Sequence, residues 1–512
     1  MKFLVYSQIN ASHIQLSLGL PEYSYYFVLK DFLPVLQILG TVQIVNNPVL
    51  EVDALYDAAC ATGELCVFLS FSPPHKTFLD LRCPTIPVFA WEFSSIPNEY
   101  WLDELHQDWR YVLTKCGRGI THSGHTVKAV KAELGDSFPI TSIPSPVWDK
   151  FEVFRKDLPK LPIKKSLCIQ INTGLILDTH DISLEPYMPD TDAVANAVAA
   201  ARGEMTSVFK KIDDSVSQNN VSTNIFNLIK KRCRYLVSKL LHKFGINIHS
   251  RKLFMRMVSA LPIGQLEPVN QVEPKTPSQH GIKPITPTWS LQPCKVSLSG
   301  VVFTSLFNPY DGRKNWVDML TAFCAAFKDI PDATLVFKLG HHEYQSAIND
   351  MLMCMARMPK FKCRVVLIQG FLNAEEFDNL ISSTAFIVNA SHGEGQCLPL
   401  MEFLSCGKPA IAPRHSAMLD YINSDLAFIV NIWLDATAWS HDPRLAYRTL
   451  RHQIDWSSLV DCYKSAYHCA LNEPERYAKM SHTAIERMQN HCSRKIATKR
   501  LEEFLHTSKA IA

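Results

Sequence analysis

Two blocks of this chain, residues 1 to about 150 and 297 to about 470, repeat one rhythm. A short apolar run is followed by a segment with apolar residues at every third or fourth position, and then by another short run. Lys2-Phe3-Leu4-Val5-Tyr6, Leu65 to Phe71 and Val301-Val302-Phe303-Thr304 are apolar on both alternating sides. Such runs fit strands buried on both faces. Thr41 to Val45, Pro87 to Trp91, Ile140 to Ile143, Thr334 to Lys338, Val365 to Ile368, Phe386 to Asn389 and Ala410 to Ala412 read the same way. Between them, Tyr23 to Leu39, Thr126 to Leu134, Trp316 to Phe327 and Pro399 to Ser405 have helical spacing, and Gly407 is placed to stop the last. Strand and helix in alternation predict a parallel sheet with helices on both faces. Two such blocks in 512 residues, with 47% apolar content, predict two doubly wound α/β domains, each with its own core.

Residues 151 to 296 break the rhythm. Between Asp214 and Glu267 there is no acid, but there are nine Lys and Arg. Elsewhere 43 basic residues face 49 acidic ones, so a net charge of +3 conceals a segregated pattern. Ile225, Ile229, Cys233, Leu236, Leu240 and Phe244 form one apolar stripe, flanked by Lys230, Lys231, Arg234, Lys239 and Lys243; Arg251, Lys252 and Arg256 continue the charge beside Leu253, Phe254 and Met257. A helix of that kind, over 225–258, can lie in an anionic membrane surface. Two other readings stand beside it: packing on one of the domains, or an acidic partner. Seven prolines from Pro262 to Pro293 then predict an extended, semi-rigid linker.

The overall charge is too weak to predict nucleic-acid binding. No run of about 18 apolar residues predicts a membrane span. The first residues, MKFLVYSQINASH, lack the long apolar core of a signal peptide. The fifteen cysteines include no C-x-x-C pair. The expectation is a cytoplasmic protein with reduced thiols and no cofactor. Asp190-Thr191-Asp192 has the D-x-D form of a metal site. Without a strand–loop context, it reads better as Asp192 capping a helix that begins near Ala193. No His/Cys/Asp cluster has the spacing of a metal site.

The chemistry concentrates in Ser391-His392-Gly393-Glu394-Gly395-Gln396-Cys397-Leu398-Pro399-Leu400-Met401-Glu402. It follows a predicted strand and opens a predicted helix. Gly393 and Gly395 allow the backbone to approach a ligand. Pro399 suits a first helical turn. The free N–H groups there favour an anion. Glu394 in the loop and Glu402 a turn into the helix are placed to grip two hydroxyl-bearing parts of one ligand, with phosphates between them.

Glu394 and Glu402 form an E-x7-E motif, followed by Cys406-Gly407-Lys408-Pro409. It resembles the donor-site signature of retaining nucleotide-sugar glycosyltransferases of the GT-B fold (group 1, family 4-like). Gly370-Phe371-Leu372 with Glu375-Glu376-Phe377 resembles the family's base-contacting loop, Lys314-Asn315 its diphosphate-binding lysine, and the tail after about 475 its last helix, which crosses back to the N-terminal domain. The resemblance is specific over roughly 297 to 505. It implies an acceptor domain over 1–150, an insertion and linker over 151–296, a donor domain over 297–475 and a returning helix over 476–512, with the two Rossmann-like domains facing across a cleft.

The resemblance implies that Glu394 holds donor-sugar hydroxyls and Glu402 the nucleotide ribose. Lys314, with Arg313 beside it, and the N–H groups of Gly395, Gln396, Cys397 and Leu398 would meet the diphosphate without a metal. Leu372 would contact the base and Gly19 a phosphate. The pattern departs from the family at Gln396-Cys397, where an aromatic and a glycine are usual. It departs again at Phe307-Asn308-Pro309-Tyr310, where the family's arginine usually lies. In the N-terminal half, Glu92, His75, His122 and Ser123 stand at strand ends and are candidates for orienting the acceptor, with Glu92 the strongest. The implied activity is transfer to a glycan or lipid-linked acceptor, with bacterial surface polysaccharide synthesis at the inner face of the plasma membrane as the setting. A GT-B-shaped binding or scaffold protein without turnover is the alternative.

Overall fold

In the computed structural model, residues 1–10, 14, 17–20, 22–156, 167–202 and 293–507 are described. The chain divides into two compact units: Met1–Tyr187 together with Ile285–Ala512, and Met188–Pro284. The described part of the second unit contains the helix Thr191–Ala201. The basic stretch 225–258 and the proline-rich linker up to residue 292 lie outside the described residues.

The first unit holds two parallel sheets, one per lobe. Strands β1 (Lys2–Ser7), β2 (Thr41–Ile44), β3 (Cys66–Phe71), β4 (Thr85–Phe89), β5 (Gly119–Thr121) and β6 (Ile140–Ser142) pair in the order β2-β1-β3-β4-β5-β6, all parallel. Both faces are covered, as the unbroken apolar runs require. Phe3 and Val5 join one core cluster, and Leu4 points into another with Phe68 and Val52. The Tyr23–Leu39 helix buries Tyr25, Val28, Leu29, Phe32, Val35 and Leu36, one stripe at helical spacing. Each such side chain contributes roughly 1.5–3 kcal/mol by leaving water.

The second lobe begins earlier in the chain than the sequence reading placed it. Strands β7 (Leu167–Ile171) and β8 (Leu175–Asp178) come from the stretch read as insertion. β7 pairs antiparallel with β9 (Cys294–Leu298), and β8 adds an antiparallel edge to the second sheet. That sheet runs β15-β14-β13-β10-β11-β12-β8, built from β10 (Val301–Phe307), β11 (Ala333–Leu339), β12 (Arg364–Gln369), β13 (Phe386–Val388), β14 (Ala410–Pro413) and β15 (Ala427–Val430). Its other pairings are parallel.

Two further features depart from expectation. The single tail helix is two, Pro474–Cys492 and Arg494–Thr507, broken at Ser493, which has extended backbone. The first buries Ala484, Met488 and Cys492 in the second lobe, and the next places Ala497, Leu501, Phe504 and Leu505 in the core of the first. A hairpin that the sequence reading did not propose, β16 (Ile432–Ala438) with β17 (Tyr447–Ile454), leaves the second lobe and clasps the first. Trp439 Nε1 donates to the Ser95 carbonyl at 3.2 Å, and Arg444 and Arg448 pair with Glu99 at 2.8 and 2.7 Å.

Candidate active site

Each sheet has a point where the strand order reverses: between β1 and β3 in the first, and between β10 and β13 in the second. Loops leaving the carboxyl ends of strands diverge there, which is where α/β proteins place ligands. Here the loops of the two lobes meet. The segment after β4 lies against the loop after β13, and the Gly19 loop after β1 lies against the loop after β11.

The loop after β13 is organised by its own polar groups. Asn389 Oδ1 accepts the Ser391 amide at 3.0 Å and the Ser391 hydroxyl at 2.8 Å, while its Nδ2 donates to Glu394 Oε1 at 3.1 Å and to Cys397 Sγ at 3.2 Å. The Glu394 amide donates to Ser416 Oγ at 2.9 Å. His415 lies 3.0 Å from that oxygen through Nδ1 and 2.9 Å from the Ser391 carbonyl through Nε2. The carbonyl needs a donor, so Nε2 carries the hydrogen and Nδ1 accepts from Ser416. Burial, then the neighbouring His452, lowers His415 to about 3, so the ring is neutral as this network requires. Cys397 enters the Leu398–Ser405 helix with φ of 65°, a left-handed conformation unusual for a side-chain-bearing residue.

Glu394 is the electrostatic centre. Only 3% of its side chain is exposed. Lys314 Nζ grips both its oxygens, at 2.8 and 2.9 Å. Burial would raise this carboxyl, but Lys314 and then Arg313 outweigh it and hold the group at about 2. Lys314 itself loses by burial and gains more from Glu394, so its amine is raised. Arg313 points into the site. Its Nη1 donates to the Gly393 carbonyl at 3.0 Å and lies 3.4 Å from Glu92 Oε1; Nη2 pairs with Asp311 at 2.8 Å. Asp311 also caps the short turn Gly312–Lys314 through the Arg313 amide. Glu92 is raised, by burial first and against the pull of Arg313. The two lobes thus share one guanidinium. Glu402, one turn into the helix, meets Lys150 Nζ at 2.5 Å.

Several expected residues are brought together here: Glu394, Lys314, Arg313 and Glu92 form one cluster, and Gly395, Gln396, Cys397 and Leu398 form the helix entrance. The glycines also serve the contact between the lobes. A Cβ on Gly395 would stand 2.8 Å from Ala90 Cβ and 3.0 Å from the Trp91 amide nitrogen, and one on Gly393 would stand 3.3 Å from Glu92. They make room for the first lobe. Gly19, with φ of 77°, has the Gly340 carbonyl 2.4 Å from its ideal Cβ, so it serves packing between the lobes as well as a turn. The Gln396 side chain accepts from the Ser145 amide at 2.5 Å and is turned toward the first lobe. Leu372 packs against the second lobe's core, and Glu376 beside it forms a capping box with Asn373.

The other strand-end candidates have structural partners. His75 Nδ1 accepts from Trp109 Nε1 at 3.2 Å and its ring stacks on His441 at 4.6 Å. His122 Nδ1 contacts the Ile143 carbonyl at 2.9 Å, and Ser123 caps the Gly124–Leu134 helix. In Asp190-Thr191-Asp192 the capping contact is made by Asp190, whose carboxylate accepts the Asp192 amide at 3.1 Å; the helix starts at Thr191, two residues earlier than expected. Sequence reasoning missed Asn389, Asp311, His415, Ser416 and Lys150. The first four lie in polar clusters just past strand ends, a signal that was present. Lys150 meets Glu402 across 252 residues, and no local pattern carries that contact.

No family model and no curated protein matches this chain. Among solved structures, the chain is similar to HepE of Anabaena in complex with UDP and glucose, at 10% identity and a TM-score of 0.46, over 99% of this chain and 100% of that one. It is also similar to sucrose-phosphate synthase of Thermosynechococcus elongatus, at 10% identity and a TM-score of 0.46, over 100% and 99%. A third is S. aureus TarM in complex with fondaparinux, alpha-GlcNAc-glycerol and UDP, at 8% identity and a TM-score of 0.41, over 86% of this chain and 55% of that one.

Proposed function

We propose that the chain is a glycosyltransferase that moves a sugar from a nucleoside-diphosphate sugar to a glycan or lipid-linked acceptor, with retention of configuration. One observation carries the reading: Lys314 and Glu394, 80 residues apart, meet through both carboxylate oxygens at the start of a helix, with Arg313 beside them. A donor can divide this pair. Its diphosphate takes Lys314, Arg313 and the N–H groups at the Leu398–Ser405 helix start, and its sugar hydroxyls take Glu394. Glu402 holds the ribose.

In the reaction the bond between the anomeric carbon and the β-phosphate oxygen breaks through an oxocarbenium-like state. The electron pair goes to the phosphate, where Lys314 and Arg313 neutralise it. These two cations supply the charge that a metal would otherwise supply, and the expected outcome is that activity survives EDTA. The acceptor oxygen attacks from the face the phosphate leaves, and its proton passes to the departing phosphate oxygen. Glu92, on the first lobe and sharing Arg313, orients the acceptor or the transferring sugar. The test is release of nucleoside diphosphate from a panel of nucleotide sugars with acceptor extracts. Release by the wild type and its loss in Glu394→Gln support the reading; no release from any donor refutes it.

The tie between Gln396 and the Ser145 amide favours a second reading, a binding or scaffold module whose donor loop is locked to the first lobe. Nucleotide binding without donor cleavage or transfer would select it. The basic stretch 225–258 belongs to the proposal as a dock on anionic membrane at the cytoplasmic face. No described helix is long and apolar enough to cross a membrane. Co-sedimentation with anionic but not neutral vesicles, lost when Lys230, Lys231, Arg232 and Arg234 are changed to Gln, is the expected outcome; no difference between the two proteins defeats it.

A further inference from the structure

Lys150 lies on the segment that leaves β6 and the first lobe, in the turn Trp148–Phe151. The turn is pinned to the second lobe. Val147 and Phe151 are buried in that lobe's core, and Trp148 Nε1 donates to the Ile485 carbonyl at 3.1 Å beneath the stacked Arg155 guanidinium, 3.7 Å from the ring centre. The backbone that carries Lys150 is therefore held in place. The Lys150 amine meets Glu402 Oε1 at 2.5 Å, and Asp31, on the Tyr23–Leu39 helix of the first lobe, lies close enough for its charge to act on the same amine.

A carboxylate has about four acceptor positions on two oxygens. Lys150 takes one oxygen of Glu402. The other, Oε2, has no hydrogen-bond partner among the described residues, on a side chain that is 13% exposed. An unpaired Glu402 would rotate freely and would repel a diphosphate arriving at the same helix start. A paired one does neither.

We propose that Lys150 is a positioning residue for nucleotide recognition: it fixes Glu402 Oε1 so that Oε2 faces a ribose diol, and it cancels the Glu402 charge beside the diphosphate. This rests on the donor-site reading above. Because the lysine sits on the connection between lobes, ribose recognition then depends on that connection being docked.

Binding of UDP, GDP, ADP and CDP, and of the 2′-deoxy counterpart of the tightest, is measured calorimetrically for the wild type, Lys150→Met, Lys150→Arg, Glu402→Gln and the Lys150→Met/Glu402→Gln double variant. Lys150→Met is expected to weaken the ribonucleotide about tenfold, the size of a lost charge-assisted hydrogen bond. It should also shrink the preference for the ribonucleotide over its 2′-deoxy form. Lys150→Arg should restore most of both. The double variant should bind no more weakly than Glu402→Gln alone, because the two residues act through one contact. Wild-type affinity in Lys150→Met overturns the inference. So does an equal loss for ribo and deoxy forms that adds to Glu402→Gln, which would mark a purely structural ion pair. If Glu402→Gln binds like the wild type, or the wild type binds none of the four, the donor-site reading fails and this inference fails with it.

Discussion

Glu394 and Glu402 stand one loop and one helical turn apart, yet their surroundings share almost nothing. Glu394 is gripped through both oxygens by a lysine of its own lobe, with 3% of its side chain exposed. Glu402 is touched through one oxygen by a lysine from the connection between lobes and keeps its second oxygen open. The first pair is assembled by loops that follow β10 and β13, neighbours in a single sheet, so it forms whenever the second lobe folds. The second exists only when the connection from β6 is docked. The contrast teaches that one motif can hold a pre-formed charge pair and a conditional one. Desolvation decides which is which: a fully buried charge must be matched at folding, and a pair whose lysine is partly exposed can wait.

The largest effect expected from this contrast is on Glu394. Glu394→Gln leaves the Lys314 amine buried without its counter-ion, and such losses cost about 3–5 kcal/mol. Equilibrium urea unfolding should show a loss of that size, together with a hundredfold or greater fall in turnover, since about 3 kcal/mol of transition-state stabilisation corresponds to that factor. A Lys314→Met/Glu394→Leu double variant sharpens the point. It should recover much of the stability and none of the activity, because no charge is left buried alone.

Next in size is Gly395→Ala. The added methyl meets Ala90 Cβ at 2.8 Å and the Trp91 backbone nitrogen at 3.0 Å, so the two lobes must part. Overpacking of this kind costs about 1–3 kcal/mol. The same urea titration measures it, and a variant as stable as the wild type would show that the lobes do not meet there.

Glu402→Gln should change stability by less than about 1 kcal/mol, as expected for a partly exposed pair, while weakening nucleotide binding about tenfold. Calorimetry and urea unfolding on the same sample separate the two. If Glu402→Gln unfolds the protein as readily as Glu394→Gln does, the comparison collapses.

A further effect concerns acid. Burial raises Asp31 to about 6, with Lys150 opposing and Glu402 reinforcing the shift. Between roughly pH 6 and 4 the folded protein therefore binds a proton that the unfolded chain does not, and stability rises as pH falls through that window. Glu394, held at about 2, acts with the opposite sign: its contribution is present above about pH 4.5 and is lost as pH falls toward 2. Asp31→Asn should raise stability at pH 7 by on the order of 1–2 kcal/mol, with the gain vanishing by pH 4. Thermal unfolding across that range checks both the size and the sign.

Most strands of both sheets were legible in the sequence because strands buried on two faces must be apolar throughout, while the three-residue β5 and the edge strands β8 and β15 were too short to stand out. The Tyr23–Leu39 helix was legible to its ends for a related reason: its apolar stripe stops where Gly40 turns the chain. The β16–β17 hairpin was not. Its strands carry Trp433 and Tyr447 toward solvent and hold Asp435 opposite Arg451, so half its pattern reads as loop. β7 was obscured by Pro159, Lys160, Pro162, Lys164 and Lys165 just before it, although Leu167, Ile169 and Ile171 alternate as an edge strand should. At the site, the strand–loop–helix motif located Glu394 and Glu402, and adjacency placed Arg313 beside Lys314. Which lysine serves which glutamate was beyond local pattern, because both pairings are made by topology.

The central claim is that a nucleotide sugar divides the Lys314–Glu394 pair. It is tested most directly by a crystal structure with the best-bound nucleotide sugar or its non-hydrolysable analogue. The account predicts the diphosphate on Lys314 and Arg313 at the start of the Leu398–Ser405 helix, the sugar hydroxyls on Glu394, and Lys314 Nζ no longer bridging both Glu394 oxygens. A nucleotide bound elsewhere, with the Lys314–Glu394 pair intact, would contradict it.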